Sequence, residues 1–282
     1  MKKLFSTGLA LLISVALFAQ ENSLLWKVSG NGLKKDSYLF GTLHMACESD
    51  FKMMDKVKKA SAIVESIYFE VDVSDPENVN KIKELTKPNP DFFKDFDPNK
   101  KKELDSILTS QQIPPAIFDM VSPATVLSLL SMKSFACEDP TKIKSMEMEL
   151  KALPELKGKP IGALETIEFQ FDLLNNLFTP DDFYTYLTSK DDPKELTKKM
   201  VQAYFSENLK DLETFFTASA GMSKEKLELM LDKRNTAWIE KMPALMKEKS
   251  GLYAVGAGHL VGKKGIIQLL KDKGYKVTPV KE

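Results

Sequence analysis

The sequence has no excess of positive charge, little histidine or cysteine, and no apolar run of the ~20 residues that a membrane-spanning helix needs. Lysine plus arginine and aspartate plus glutamate number 40 each in 282 residues, so no basic field exists to bind nucleic acid. Two cysteines cannot build a disulfide-dense scaffold, and a hydrophobic core must therefore support the fold. Because the chain has two histidines, any chemistry that needs imidazole depends on where they lie.

The amino terminus has the pattern of a secretory signal peptide. Met1-Lys2-Lys3 is a cationic start, and residues 9–18 form an apolar run that is too short to span a bilayer. We assign residues 1–20 to the signal peptide, with cleavage within 18–21, and residues 21–282 to the remaining domain. The prediction is export to the periplasm or the extracellular space, with no stable membrane span after cleavage. The alternative is a buried amino-terminal helix.

Cys47 and Cys137 are the two thiols of the chain. An exported protein meets an oxidising compartment, where such a pair can close a disulfide. Two alternatives stay open: both cysteines are unpaired, or Cys47, three residues after His44, is a soft metal ligand.

Short apolar segments near both ends of the chain predict strands, and helical periodicity dominates between them. Residues 24–28 and 37–40 flank a Gly-Asn-Gly turn and predict a hairpin. Further strands are expected to end near Glu70 and to occupy residues 159–164. Residues 75–153 and 171–248 are expected to be mainly helical.

The last thirty residues alternate between strand and helix. Residues 251–255 and 275–280 predict strands, and residues 265–273 predict a helix between them. Such a unit favours parallel strands with a right-handed crossover. Together with the amino-terminal strands, it predicts an α/β fold with a helical insertion, and not a helical bundle.

The two histidines occur in matching settings. Each follows an aromatic-rich apolar strand in the pattern Gly-x-x-His, ending at His44 and at His259. The carboxyl ends of parallel strands share one edge of a sheet, where ligands bind in open α/β folds. We therefore expect the two imidazoles to meet there. The alternative is that each is a structural histidine that donates to a carbonyl.

Two carboxylates are predicted at comparable strand ends. Glu70 closes one strand, with Asp72 two residues on, and Glu165 directly follows another. Two neutral imidazoles and one or two carboxylates suit a divalent cation with an open position for water, zinc included. Such a cation polarises a carbonyl and activates its water, as hydrolysis requires. The alternatives are a solvated edge strand for Glu70 and Asp72, and a helix-dipole partner for Glu165.

Arg234 lies on a predicted helical stripe of apolar residues. Leu227, Met230, Leu231, Ala237 and Trp238 repeat at the three- and four-residue spacing of one helix face that includes it. A buried arginine needs a carboxylate partner or a substrate anion. An ion pair with Glu165 or Glu70 and direct contact with substrate are both compatible with this position. Asn235 beside it can supply a neutral hydrogen bond.

Five blocks of the sequence resemble those of the TraB/GumN family, which includes the TraB, PrgY and GumN proteins and the animal TIKI proteases. In family order, the blocks are LFGTLH at 39–44, FEVD at 69–72, GALETIEFQ at 162–170, RNTAW at 234–238 and VGAGHLVG at 255–262.

The resemblance implies an α/β core whose mixed sheet is formed by the two ends of the chain around a helical middle. It also implies a site in which the paired Gly-x-x-His motifs face one another. The residues that carry over are His44, His259, Glu70, Glu165, Arg234 and Asn235. In the TIKI branch the resemblance implies a metal-dependent peptidase that uses manganese or cobalt.

Three hypotheses about function follow. The leading one is an exported metal-dependent hydrolase that acts on peptides, with His44, His259 and a glutamate holding the metal. The second is a non-catalytic periplasmic protein that binds and sequesters a peptide or pheromone. The third is a structural protein whose histidines are merely buried. The sequence names neither the substrate nor the oligomeric state.

Overall fold

A computed structural model describes residues 22–219 and 222–281. The predicted signal peptide lies outside these residues. Eight strands and twelve α-helices follow one another within the described part of the chain. In chain order they are β1 (Leu25–Ser29), β2 (Ser37–Thr42), β3 (Met45–Cys47), α1 (Asp55–Ile63), β4 (Ser66–Phe69), α2 (Pro76–Leu85), α3 (Pro98–Ser110), α4 (Pro123–Ser134), β5 (Ile143–Ser145), α5 (Met146–Lys151), β6 (Ile161–Ala163), α6 (Ile167–Leu177), α7 (Pro180–Thr188), α8 (Pro193–Phe205), α9 (Leu209–Thr214), α10 (Lys224–Leu227), α11 (Lys233–Glu248), β7 (Gly251–Gly256), α12 (Ile266–Asp272) and β8 (Lys276–Pro279).

The predicted mixed α/β fold is confirmed. Six strands form one sheet in the order β6-β4-β7-β2-β1-β8, so strands from both ends of the chain interleave. The predicted hairpin is the antiparallel pair β1–β2. The strands β2, β7, β4 and β6 are mutually parallel, and their carboxyl ends therefore share one edge of the sheet.

The carboxy-terminal strand-helix-strand unit has the predicted parallel direction but not adjacent strands. β8 is antiparallel to β1, β1 is antiparallel to β2, and β2 is parallel to β7, so β7 and β8 run the same way. The strands β2 and β1 lie between them in the sheet. β8 thus closes the outer side of the hairpin, and β7 lies at the centre of the sheet.

Two hydrophobic cores support the fold. The larger core covers the sheet and includes Phe40, Ile67, Trp238 and Tyr253, each at most 1% exposed. A second core lies within the helical insertion, around Leu104, Phe118 and Phe183. The insertion is therefore a lobe with a hydrophobic core of its own.

The stripe predicted around Arg234 does not lie on one continuous α-helix. Residues Glu228–Asp232 form a π-helical turn between α10 and α11, which changes the residue spacing. Within α11 itself, Ala237 lies on the exposed side, because the buried face runs through Arg234, Asn235 and Trp238. The buried residues of α11 are Arg234, Asn235, Trp238, Ile239, Met242 and Met246.

A disulfide joins Cys47 to Cys137. Of the three alternatives for these cysteines, pairing is the one observed, so Cys47 is not a metal ligand. Cys47 ends β3, which pairs with β5, a short strand that the sequence did not predict. The bond therefore ties the helical lobe to the segment that follows His44.

Removing this disulfide should lower stability. Closing a loop of 90 residues restricts the unfolded chain, and such bonds contribute about 2–4 kcal/mol. We expect the Cys47→Ser/Cys137→Ser double variant to lose about that much free energy of unfolding, measured by urea denaturation. Reductant should destabilise the wild type and leave the double variant unchanged. Two free thiols in the denatured, unreduced protein would contradict the pairing.

Candidate active site

The shared edge of the four parallel strands brings together residues that are far apart in sequence. His44 comes two residues after β2, Glu70 directly after β4, and Glu165 two residues after β6. His259 ends a short 3₁₀ turn, Ala257–His259, that follows β7. Because β4 is flanked by β6 and β7, Glu70 is 7% exposed and the alternative of a solvated edge strand is wrong for it. Asp72 instead accepts a hydrogen bond from Lys151, at 2.9 Å.

Gly256 marks the point where the two imidazoles and one carboxylate converge. A Cβ atom at this glycine would lie 3.3 Å from Oε1 of Glu70, 3.4 Å from Nε2 of His44 and 3.6 Å from Cδ2 of His259. All three side chains therefore approach a single point beside the backbone. Only a residue without a side chain leaves this space free.

His259 is buried and held in one orientation. Asn235 donates through Nδ2 to the backbone carbonyls of His259 and Lys264, at 3.3 and 2.9 Å, which leaves its Oδ1 as an acceptor. Nδ1 of His259 lies 2.6 Å from that Oδ1 and must carry the proton. Nε2 therefore carries the lone pair. Burial lowers the pKa of His259 to about 3, so the ring is neutral at pH 7.

His44 is also oriented through Nδ1, in this case by a carboxylate. Its side chain is 62% exposed, and Nδ1 lies 2.8 Å from Oε1 of Glu147. An ionised carboxylate can only accept, so Nδ1 of His44 donates and Nε2 faces the Gly256 point. Desolvation works to lower the pKa of His44, but Glu147 outweighs it and raises this pKa to about 9. Metal binding at Nε2 would therefore displace a proton.

Glu147 is a site residue that sequence reasoning missed. It lies in the first turn of α5, and its Oε1 also accepts from the Thr42 hydroxyl, at 2.9 Å. The pairing of β3 with β5 sets Met45 opposite Ser145 and so brings the start of α5 beside His44. The cysteines were the one signal for this contact, because the disulfide joins the segments that precede β5 and follow His44.

Arg234 is the only arginine among the 40 basic residues of the chain, and the predicted burial is confirmed at 5% exposure. Nε donates to Glu165 Oε2 at 3.1 Å, and Nη2 donates to Glu165 Oε1 at 2.6 Å and to Glu70 Oε2 at 2.5 Å. Nη1 donates to the carbonyl of Met230 and to Nε2 of His259, at 3.0 and 3.2 Å. All five N–H groups of the guanidinium therefore have partners. Both predicted ion pairs form, and no N–H is left for a substrate anion.

The two glutamates that pair with Arg234 differ in how many hydrogen bonds their carboxylate oxygens accept. The oxygens of Glu165 accept from Arg234, from Gln170 at 3.1 Å and from the Trp238 indole at 3.1 Å. Oε1 of Glu70 accepts from one backbone group, the N–H of Gly256, at 2.7 Å. Glu70 is therefore the carboxylate with an oxygen available beside the imidazoles.

The charge state of Glu70 is fixed by its surroundings. Burial works to raise the pKa of this carboxyl, but His259 and Arg234 lower it to about 2. Since the ring of His259 is neutral at pH 7, the guanidinium of Arg234 and the protonated ring of His44 are the cations that keep Glu70 ionised. The carboxylate is thus ready to bind a cation without losing a proton.

A cavity of about 330 Å³ opens next to these residues. Its polar lining includes His44, Glu70, Glu147, Gln170 and Arg234. Its apolar lining includes Val71, Val73, Leu173, Leu174 and Met230. The volume lies at the lower end of the range for small-molecule sites. Glu165, Asn235 and His259 do not line the cavity.

The profile of the TraB/PrgY/gumN family matches residues 24–279. The chain belongs to this family. It is 23% identical over 320 residues to the protein named Metalloprotease TIKI2 of Danio rerio, covering 93% of the chain and 62% of that protein. It is also 23% identical over 313 residues to Metalloprotease TIKI2 of Xenopus tropicalis, covering 91% and 59%. The chain thus spans about three fifths of the length of these relatives. No solved structure matches it significantly.

The chemistry of the donor atoms suits the metal that the family resemblance implies. The Nε2 atoms of two imidazoles, once His44 has released its proton, and one carboxylate oxygen form a set typical of catalytic zinc and related divalent sites. Each imidazole is backed through Nδ1 by an oxygen acceptor, as metal-binding histidines usually are. Nevertheless, within residues 22–219 and 222–281 no group of three or more His, Cys, Asp or Glu side chains has a geometry that could hold a metal ion as it stands. Nε2 of His259 accepts a hydrogen bond from Nη1 of Arg234, and this bond would have to break before Nε2 could bind a metal.

The described residues contain no helix long and apolar enough to cross a membrane.

Replacing Arg234 with lysine should destabilise the protein although the charge is kept. A lysine ammonium has three N–H groups and cannot reproduce the fork that reaches both glutamates, Met230 and His259. We expect a loss of about 1–3 kcal/mol in urea unfolding, since buried acceptors lose their donors. Lys233→Arg, an exposed change at the adjacent position of α11, is the matched control and should be neutral. Equal stability of the two variants would contradict the network.

Proposed function

We propose that this protein is an exported metal-dependent hydrolase that cleaves peptides. The observation that carries the proposal is the convergence of Nε2 of His44, the ring of His259 and Oε1 of Glu70 beside Gly256. The curated relatives are named metalloproteases, which supports a peptide or protein substrate. The amino-terminal signal pattern supports export.

His44, His259 and Glu70 would hold the divalent cation. When bound, the cation would polarise the scissile carbonyl and lower the pKa of a bound water. Manganese, cobalt and zinc all accept this combination of imidazole and carboxylate. Glu165 holds Arg234 and is not assigned as a ligand, because each of its oxygens already accepts two hydrogen bonds, whereas Oε1 of Glu70 accepts one.

The remaining polar residues prepare these three side chains. Asn235 and Glu147 orient the two rings, each by accepting the Nδ1 proton, so that Nε2 is the ring nitrogen left for a metal in both histidines. Arg234 keeps Glu70 ionised. The ring of Trp238 lies 4.8 Å from the guanidinium and, tilted by 41°, 4.4 Å from the ring of His259. Glu147, Asn235 and Arg234 are positioning residues in this scheme.

A second candidate function is sequestration of a peptide without cleavage. It is favoured by the bond from Nη1 of Arg234 to Nε2 of His259, which satisfies the buried ring without any metal. A binding protein would use the same cavity. It would bind peptide in the presence of a chelator and release it uncleaved.

The decisive experiment is metal analysis of the purified mature protein together with detection of peptide products. We expect about one divalent ion per wild-type chain, metal-dependent cleavage, and loss of both in His44→Ala. Because His44 is exposed, the variant should keep its melting temperature. The control is Met148→Ala, an exposed change on α5 outside the cavity, which should retain metal and cleavage. Peptide binding without metal or products would favour the second function.

Gly256→Ala should impair metal binding at the site without destabilising the fold. The added methyl group would meet Glu70, His44 and His259 at 3.3–3.6 Å, tight for Glu70 and close to ordinary contact for the imidazoles. We expect the melting temperature to change little while metal binding falls sharply, because the methyl group occupies the space between the three ligands. Calorimetric titration of the metal-free variant with Mn²⁺ measures this. Wild-type affinity would contradict the assignment of the metal to this point.

A further inference from the structure

The cavity of the candidate site has an apolar wall that lies outside both hydrophobic cores of the described residues. Val71, Val73, Leu173, Leu174 and Met230 line the cavity. None of them belongs to the core around the sheet or to the core of the helical lobe. Val73 is 43% exposed. An apolar surface of this kind inside a cavity marks a place for a ligand.

Three separate elements build this wall. Leu173 and Leu174 come from α6, and Val71 and Val73 follow β4. Met230 comes from the π-helical turn Glu228–Asp232. Turns of this type occur frequently at functional sites. The carbonyl of Met230 is held by Nη1 of Arg234 at 3.0 Å, so the wall is anchored to the ion network beside it.

The polar side of the cavity carries two carboxylates, Glu70 and Glu147, and, among the described residues, no arginine whose N–H groups are free for the anionic end of a peptide. Recognition of a carboxylate favours two parallel N–H donors of an arginine. Arg234 is the one lysine or arginine among the described lining residues, and at least four of its five N–H groups are held by Glu165, Glu70 and Met230. His44 is already paired with Glu147 through Nδ1, at 2.8 Å, and in the proposed function its Nε2 binds the metal. Glu70 and Glu147 would repel an acidic side chain.

We propose that the cavity selects an internal peptide segment with a medium-sized apolar side chain next to the scissile bond. The side chain, such as leucine or methionine, packs on Leu173, Leu174 and Met230. The free carboxyl terminus of the peptide is not recognised. A volume of about 330 Å³ fits one such side chain with its flanking peptide groups and excludes a folded domain. This substrate class rests on the proposed peptidase function for cleavage, but not for binding.

The test uses capped, fluorescently labelled hexapeptides that are identical except for one central residue, leucine or aspartate. A third peptide has the central leucine and a free carboxyl terminus. Binding to the chelator-treated mature protein is measured by anisotropy, and cleavage by the Mn²⁺-loaded protein is measured by mass spectrometry. We expect the capped leucine peptide to bind about tenfold or more tightly than the aspartate peptide, with no gain from a free carboxylate.

Two variants of α6 locate the selectivity. Leu174→Asp introduces a charge into the wall and should abolish the preference for leucine. Asn176→Asp introduces the same charge on the exposed side of the same helix and should preserve it. The inference is supported if the protein binds the leucine peptide selectively and Leu174→Asp removes this selectivity. If no cleavage products then form with any metal tested, only the peptidase function is overturned. Three outcomes would overturn the inference. They are equal or undetectable binding of the leucine and aspartate peptides, tighter binding of the free-carboxylate peptide, and a leucine preference that survives Leu174→Asp.

Discussion

The ion network around Arg234 is the interaction on which the rest of the site depends. One buried guanidinium joins Glu70 and Glu165, which follow different strands, to His259, which follows a third. Buried charges are costly unless each is paired and fully hydrogen-bonded. Here every donor of Arg234 is used, and the guanidinium keeps the pKa of Glu70 low although that carboxyl is buried. Glu70 can therefore serve as a ligand without losing a proton at neutral pH.

The parallel strands explain why these residues meet. Side chains that follow β2, β7, β4 and β6 come from opposite ends and the middle of the chain, yet they share one edge of the sheet. The disulfide and the pair β3–β5 add the helical lobe to that edge and bring Glu147 to His44. The lobe thus supplies one wall of the site. Two histidines that are equivalent in sequence become different, one exposed with a carboxylate partner and one buried with an amide partner.

Some features could be predicted because they depend on local patterns. The hairpin, the central strands and the Gly-x-x-His repeats were visible in short stretches of sequence, and the parallel strand ends placed His44 and His259 at one edge. The helical stripe around Arg234 was assigned from α-helical periodicity alone. It placed Ala237 on the inner face, which is wrong, because the buried face of α11 runs through Arg234, Asn235 and Trp238. It also assumed one continuous α-helix, whereas a π-helical turn changes the residue spacing before α11. Local spacing does not reveal such a turn.

By itself, the sequence determined the α/β class, the strand ends that carry the candidate ligands and the need of Arg234 for a buried partner. Only the tertiary structure decided which carboxylate stays available, because the difference between Glu70 and Glu165 lies in their hydrogen-bond partners. The partner of His44 was likewise decided by a long-range strand pairing. Such contacts depend on how distant segments pack, whereas strand and helix patterns depend on the side chains of a few neighbouring residues.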